Sequence, residues 1–212
     1  MRILKRLTAL TATLCACLAL TACGNAAETS LKSTLDHLQS NDELAQVIAS
    51  DFQHASNNFK FSKDQMAQIA KKLNGFTYTI DSIEENGDSA TAKLTITTKD
   101  FGATFEKEFE TSLTKFGRDL KASTEQGETV TERELNGRIN KLFEQVALNS
   151  FNNAKGTYKK QVEVHLNKNG DGSWTLSDLD TDTLYNACTG GFMDSLTTSI
   201  NSIDSILDKA LS

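Results

Sequence analysis

One segment near the C-terminus has the residue types and the spacing of a calcium-binding loop. Asn167, Asn169 and Asp171 alternate, Gly172 follows, and Asp178 occupies the twelfth position of the segment. Oxygen ligands at these intervals bind Ca²⁺ in loops that join two helices. Here the first ligand is Asn instead of Asp, the twelfth is Asp instead of Glu, and the flanking segments alternate as strands do. We therefore predict a polar hairpin turn and no cofactor, and keep Asn167, Asn169, Asp171 and Asp178 as candidate metal ligands.

A second acidic pattern overlaps the end of this segment. Asp178, Asp180 and Asp182 alternate, so in an extended chain their carboxylates would share one side and could hold a cation. At the start of a helix the same carboxylates would instead accept hydrogen bonds from free backbone amides and face the positive end of the helix dipole. We favour the second interpretation.

Trp174 and Cys188 are the other residues with distinctive chemistry. Trp174 is the only tryptophan, and it shares the inward phase of its strand with Leu176. A large aromatic at such a position usually belongs to the core, but it could also line a pocket, so Trp174 is our candidate ligand-binding residue. Cys188, which precedes a Thr and two glycines, fits a small buried apolar residue better than a reactive thiol.

The sequence contains no recognisable catalytic constellation. Its three histidines, His37, His54 and His165, have no spacing typical of a zinc site. The G-x-S-x-G, P-loop, dinucleotide-binding and H-E-x-x-H motifs are all missing from it. Because catalytic side chains can be assembled from distant parts of a chain, an enzyme is not excluded. We predict no catalytic residue and expect a protein that is not an enzyme.

The first residues have the composition of a secretory signal. Arg2, Lys5 and Arg6 form a positive start, and residues 7–20 are predominantly apolar. Fourteen residues are too few to span a bilayer easily, so this stretch is typical of a signal peptide rather than a membrane helix.

The residues that end this stretch carry a second signal. Leu20-Thr21-Ala22-Cys23 resembles the lipobox of bacterial lipoproteins. The resemblance implies that residues 1–22 are removed and that Cys23 is joined through a thioether to diacylglycerol, with palmitate-type acyl chains. Several acyl chains anchor a protein stably where a single chain does not. Residues 23–29 would then form a lipidated tether on the extracytoplasmic face of the cell membrane. The alternative is an ordinary signal peptide that happens to contain a Cys.

Composition limits what the rest of the chain can bind. The 212 residues carry a formal net charge of −6, and removal of Arg2, Lys5 and Arg6 with the signal peptide makes the remainder more acidic. This balance argues against nucleic acid, whose phosphates need a basic surface. The chain contains no proline, which disfavours a proline-rich stalk. Residues 30–212 have the size of one domain.

Helical and strand periodicities alternate along that domain. Apolar residues three or four positions apart predict helices within 30–73, 103–154 and 181–211, with a loop at 121–129 and a break at Gly190-Gly191. Residues 76–97 alternate as a hairpin around Asn86-Gly87, and a change of phase predicts a β-bulge near Asp81-Ser82. A second hairpin covers 156–176.

The expected order is therefore helix–hairpin–helix–hairpin–helix. Hairpins covered by helices on one face predict an α+β domain with a curved antiparallel sheet. The topology within 30–73 and 103–154 stays open.

The whole pattern resembles small lipoproteins of the Gram-positive type that carry a cystatin-like or NTF2-like domain of unknown function. The shared features are Leu20–Cys23, the bulged hairpin and the Asp171-Gly172-Ser173-Trp174 stretch leading into an acidic turn and Gly-Gly. In that fold, helices pack into the concave face of a curved sheet. The resemblance brings no catalytic residues, because the fold serves enzymes and binding proteins alike.

Three functions follow from these observations. The first is a non-enzymatic lipoprotein whose domain binds an envelope protein or a small ligand beside the membrane. The second is a ligand-binding or enzymatic NTF2-like domain with a pocket in the concave face of the sheet. The third is a cation-dependent adhesin that uses residues 167–178.

Overall fold

The computed structural model describes residues 25–55 and 60–211, without the side chains of 54, 55 and 211. The predicted signal peptide, residues 1–22, and Cys23 lie outside this part of the chain, as does the side chain of His54. The elements in chain order are α1 (Ala26–Ser40), α2 (Glu43–Ala55), α3 (Lys63–Leu73), β1 (Thr77–Asn86), β2 (Ser89–Lys99), α4 (Phe101–Glu125), α5 (Glu132–Asn153), β3 (Thr157–Lys168), β4 (Trp174–Leu176), α6 (Asp178–Cys188) and α7 (Phe192–Leu211).

The four strands form one antiparallel sheet in the order β1-β2-β3-β4. This confirms the predicted α+β class and the antiparallel sheet. Each strand alternates between exposed side chains and apolar side chains that are buried or half-buried. The buried set includes Ala92, Leu94, Ile96, Val162 and Val164.

The first hairpin contains the predicted bulge. Its register shifts between Ile80 and Ser82, so that both Ile80 and Ile83 lie on the apolar face. The turn is one residue away from its predicted place. Asn86 pairs with Ser89, so the central residues are Gly87 and Asp88 instead of Asn86 and Gly87. Gly87 has φ +65°, which suits the first central position of a tight hairpin turn.

Helix α1 covers the apolar face of the sheet. It contacts both edge strands, β1 and β4. Four strands are about 14 Å across, so α1 extends over the width of the sheet. Ala27, Leu31, Leu35 and Leu38 are its buried residues. Helix α6 lies beside β2 and β3.

The first helical region starts earlier than predicted and consists of three helices. Helix α1 begins at Ala26, four residues before the predicted Ser30, because the side chain of Asn25 caps its first turn. Helix α2 is capped by Asn41, whose Oδ1 accepts from the Glu43 amide at 2.8 Å. The capping box at Ser62 and Gln65 begins α3.

In the middle region, α4 is longer than predicted. It continues to Glu125, so the loop before α5 covers 126–131 and not 121–129. Gly102 lies against Ser195, and Gly117 lies against Ala210. These two contacts show that α7 runs alongside α4 in the same direction. Helix α5 returns antiparallel to α4, because Phe109 contacts Phe143 and Phe101 contacts Phe151, and α4 lies between α5 and α7 in this bundle.

Phenylalanines join this bundle to α2. Phe52 makes edge-to-face contacts with Phe105 at 6.4 Å and with Phe143 at 6.2 Å between ring centroids. Phe192, at the start of α7, lies 4.9 Å from Phe105 and 4.6 Å from Phe151. Side chains from α2, α4, α5 and α7 thus share one aromatic core.

The predicted break at Gly190-Gly191 separates α6 from α7, as expected. Both glycines have positive φ, +62° and +76°. A Cβ at Gly190 would lie 2.1 Å from the carbonyl oxygen of Lys99, and the Gly102 amide donates to the Gly190 carbonyl at 3.0 Å. The turn therefore needs glycine both for its backbone conformation and for its close approach to the start of α4.

Candidate functional site

Most of the candidate residues lie at one end of the sheet. The β1–β2 and β3–β4 turns are both there, and so is the first turn of α1. We call residues 25–30, 85–89 and 168–174 the turn end. The Ala27 amide donates to Glu85 Oε1 at 3.0 Å, and Ser30 Oγ donates to the Trp174 carbonyl at 2.6 Å. The start of α1 is therefore bonded to both hairpins.

The two turns are also bonded to each other. The Lys168 amide donates to the Asp88 carbonyl at 2.8 Å, one residue beyond the point where Asn167 pairs with Ser89. The turn end is thus one continuous surface made of three chain segments. Its turn residues are exposed and predominantly Asn, Gly, Asp and Ser.

The calcium-like segment is a hairpin turn whose polar groups bind one another. Asp171 Oδ1 accepts from the Ser173 amide at 2.9 Å and from its hydroxyl at 2.6 Å. Asn169 Nδ2 donates to Ser173 Oγ at 2.9 Å. The bonds from the Ser173 hydroxyl and amide hold the pKa of Asp171 below its ordinary value. These contacts close the turn.

Strands and not helices flank this turn, as predicted. Asn167 lies on β3, whereas Asp178 opens α6 on the far side of β4. Within the described part of the chain, no three His, Cys, Asp or Glu side chains are grouped so that they could hold a metal ion. The candidate ligands thus lie along a hairpin and the helix that follows it, and a metal-binding role for them stays a prediction.

Trp174 is buried, with 5% of its surface exposed. The Lys168 ammonium lies 5.8 Å from the centre of its ring, on the solvent side of a cation–π contact. This is the position of a core side chain that closes the sheet against α1. Its role in ligand binding also stays a prediction.

Of the acidic triplet, Asp178 and Asp180 lie in the first turn of α6, which Ser177 caps. Asp180 also has a contact that the sequence did not reveal. Its Oδ2 accepts from the His165 amide at 2.8 Å and lies 3.0 Å from His165 Nδ1. The Ser177 amide donates to the His165 carbonyl at 2.8 Å. Beyond the end of β4, Ser177 and the carboxylate of Asp180 therefore satisfy both backbone groups of His165 on β3.

A second polar cluster joins three helices. Glu43 on α2 accepts a short hydrogen bond from the Tyr185 hydroxyl on α6, and its other oxygen lies 3.5 Å from His37 Nε2 on α1. Burial, and then the bond to Glu43, raise the pKa of Tyr185. No local motif could have predicted this cluster, because its members come from three separate elements.

Cys188 is fully buried, as predicted from its neighbours. Burial raises the pKa of its thiol to about 12. A thiol that stays protonated at neutral pH is a poor nucleophile, which agrees with a structural residue.

Two concave surfaces lie away from the turn end. A groove of about 460 Å³ runs between α4 and α5, with Phe116, Leu120 and Leu142 in it and Arg138 and Lys141 beside them. An open cavity of about 960 Å³ lies where the α1–α2 junction meets α3, and Phe61, Met66 and Asn74 contribute to it. Both surfaces are wide open to solvent.

Among residues 25–55 and 60–211, none of the helices combines the length and the apolar composition needed to cross a bilayer.

Comparisons with known proteins give one structural neighbour. No protein-family model matches the chain, and no curated protein matches it significantly. A solved structure of a proposed lipoprotein (ycdA) from Bacillus subtilis subsp. subtilis str. 168 is similar, with 16% sequence identity and a TM-score of 0.47. The similarity covers 76% of this chain and 55% of the Bacillus protein, so the chain spans about half of that protein's length.

Proposed function

We propose that the chain is a lipoprotein, anchored by lipid on Cys23 to the extracytoplasmic face of the cell membrane. There its α+β domain binds an envelope protein or a small ligand and performs no catalysis. The observation that carries the proposal is the continuity between the predicted anchor and the folded core. Only Gly24 separates Cys23 from Asn25, the residue that caps α1.

That first helix is an integral part of the domain. Ala27 and Leu31 are fully buried, and the helix is bonded to both hairpins. A lipid on Cys23 would therefore hold the domain directly against the membrane and not on a flexible stalk. Such an arrangement suits a domain that acts on partners in or near the bilayer.

The position of α1 also supports the finer fold assignment. A helix lying in the concave face of a curved antiparallel sheet is the arrangement that the cystatin-like and NTF2-like resemblance implies. The α4–α5–α7 bundle is an addition to that arrangement. Because α1 and apolar side chains occupy the concave face, we place ligand binding at the groove or the cavity outside it.

Crosslinking inside the cell, followed by mass spectrometry, tests the binding function. The lipidated chain should crosslink to one dominant membrane or envelope protein, and Cys23→Ala should lose that product because the domain is no longer held beside its partner. If the domain binds a small ligand instead, the crosslinking should give no dominant protein. A molecule extracted from the cell should then stabilise the purified domain against unfolding. A wild-type chain that shows neither result contradicts the proposal.

A further inference from the structure

We propose that the turn end is the surface that rests against phospholipid headgroups, so that the strands of the sheet rise away from the bilayer. This inference rests on the proposed lipidation of Cys23. Beyond the anchor, it specifies which part of the domain meets the membrane and which end stays free for partners.

The first argument is distance. Two residue steps separate Cys23 from Asn25, and two extended residues reach about 7 Å. The Asn25 side chain accepts from the amides of Ala27 and Glu28 at 3.1 and 3.3 Å, which fixes the start of the helix. The lipid must therefore enter the bilayer close to the first turn of α1.

The second argument is what else lies at that point. Glu85 and Trp174 are bonded to the first two turns of α1, and Lys168 is bonded to Asp88. These bonds tie both hairpin turns to the anchored segment. Cys23 lies within about 7 Å of Asn25, so the bilayer that its lipid enters also lies near the hairpin turns.

The third argument is chemical. The turn residues 86–88 and 168–173 are all exposed, and none of them has an apolar side chain. They offer amides, hydroxyls and the ammonium group of Lys168 to the headgroups, together with the carboxylates of Asp88 and Asp171. A surface of this kind contacts headgroups without entering the hydrocarbon, which requires apolar side chains.

The fourth argument is the direction of the strands. With both hairpin turns against the bilayer, the strands lead away from it. Strand β2 begins in the turn end at Ser89 and ends at Lys99, and eleven residues of strand span about 33 Å. Lys99 and the start of α4 thus lie far from the membrane.

Two exposed residues at opposite ends of β2 provide a matched test. Asp88→Cys and Lys99→Cys would each be labelled with the same fluorophore in the full lipidated chain. Cys23 would carry lipid and Cys188 is fully buried, so neither competes for the label. The chains would be reconstituted into vesicles of phosphatidylcholine and phosphatidylglycerol that contain a headgroup-attached quencher.

The label at Asp88→Cys should be quenched several-fold more strongly than the label at Lys99→Cys. Equal quenching at both positions, or stronger quenching at Lys99→Cys, would overturn the orientation while leaving the anchor intact. A wild-type chain that fails to sediment with the vesicles would overturn the proposed anchor and this inference together.

Discussion

At the scale of single residues, the hairpin turn shows that one spacing of polar residues can serve two kinds of contact. Asn169 and Asp171 have the intervals of calcium ligands, yet their side chains bind Ser173 and close a turn. The same residue types serve both purposes, because short side chains with oxygen atoms bind backbone amides as readily as cations. The strand periodicity on either side predicted the hairpin.

Trp174 provides the first prediction at this scale. Trp174→Ala should lower the free energy of unfolding by about 3–5 kcal/mol, because it removes a large buried ring from the junction of α1 and β4. Urea unfolding followed by circular dichroism measures this change. Tryptophan fluorescence cannot be used, because the variant lacks the only tryptophan.

Leu179→Ala is the matched control. Leu179 is 91% exposed and lies only five residues away, so its loss should change the free energy of unfolding by no more than about 0.5 kcal/mol. If Trp174→Ala lowered the free energy of unfolding by less than about 1 kcal/mol, the ring would not be part of the core.

The three tyrosines provide a prediction about pH. Burial raises the pKa of each, and it is reinforced by Asp36 at Tyr78, by Asp194 at Tyr158 and by Glu43 at Tyr185. For Tyr78 the pKa reaches about 12. The folded state therefore favours the protonated phenols. The stability that they contribute is complete below pH 10 and is lost as the pH rises towards 12 and beyond.

Phenolate absorbance during an alkaline titration tests this prediction. The folded chain should show little phenolate near pH 10, whereas the chain unfolded in guanidinium should ionise all three tyrosines near their ordinary pKa of about 10. A folded chain in which a tyrosine ionises at its ordinary pKa would contradict the account.

At the scale of elements, local signals predicted what local interactions determine. The phase change near Asp81-Ser82 marks a real bulge, and the predicted break at Gly190-Gly191 separates α6 from α7. The alternation of both hairpins predicted the buried faces of the sheet. Each of these features depends on residues close together in the sequence.

The errors have two sources. Two of them are local, because α1 starts early where Asn25 caps its first turn, and α4 ends only where Gly127 adopts a positive φ of +82°. The Glu43 cluster escaped prediction because its members come from three separate elements. Tertiary packing decides such features and overrides local preference.

The contact between α4 and the Gly190-Gly191 turn gives the prediction for elements. A Cβ at Gly102 would lie 2.6 Å from the Gly191 carbonyl oxygen and 2.9 Å from Ser195 Oγ. Because backbone cannot move aside cheaply, Gly102→Ala should lower the free energy of unfolding by about 1–3 kcal/mol in chemical denaturation.

Gly137→Ala in α5 is the control for that substitution. A Cβ at Gly137 meets nothing within 4 Å, so the alanine should raise the free energy of unfolding by up to about 1 kcal/mol through helix propensity. If Gly102→Ala stabilised the chain as Gly137→Ala does, the close packing of α4 on the glycine turn would be refuted.

At the scale of the whole molecule, the fold has two distinct ends. The turn end gathers the start of α1 and both hairpin turns, and the opposite end of the sheet leads into the α4–α5–α7 bundle. A lipid on Cys23 would give these ends different surroundings, with the bilayer at one and the periplasmic or external space at the other. The groove between α4 and α5 lies on the bundle, where a partner could reach it.

The most direct test of this account is mass spectrometry of the chain extracted from its own cell membranes. The account predicts a mature chain that begins at Cys23 with diacylglycerol on its sulfur. It also predicts that Cys23→Ala loses the lipid and either leaves the membrane or remains an uncleaved precursor. An unmodified Cys23 in the wild-type chain, or a lipid that persists in Cys23→Ala, would contradict the central claim.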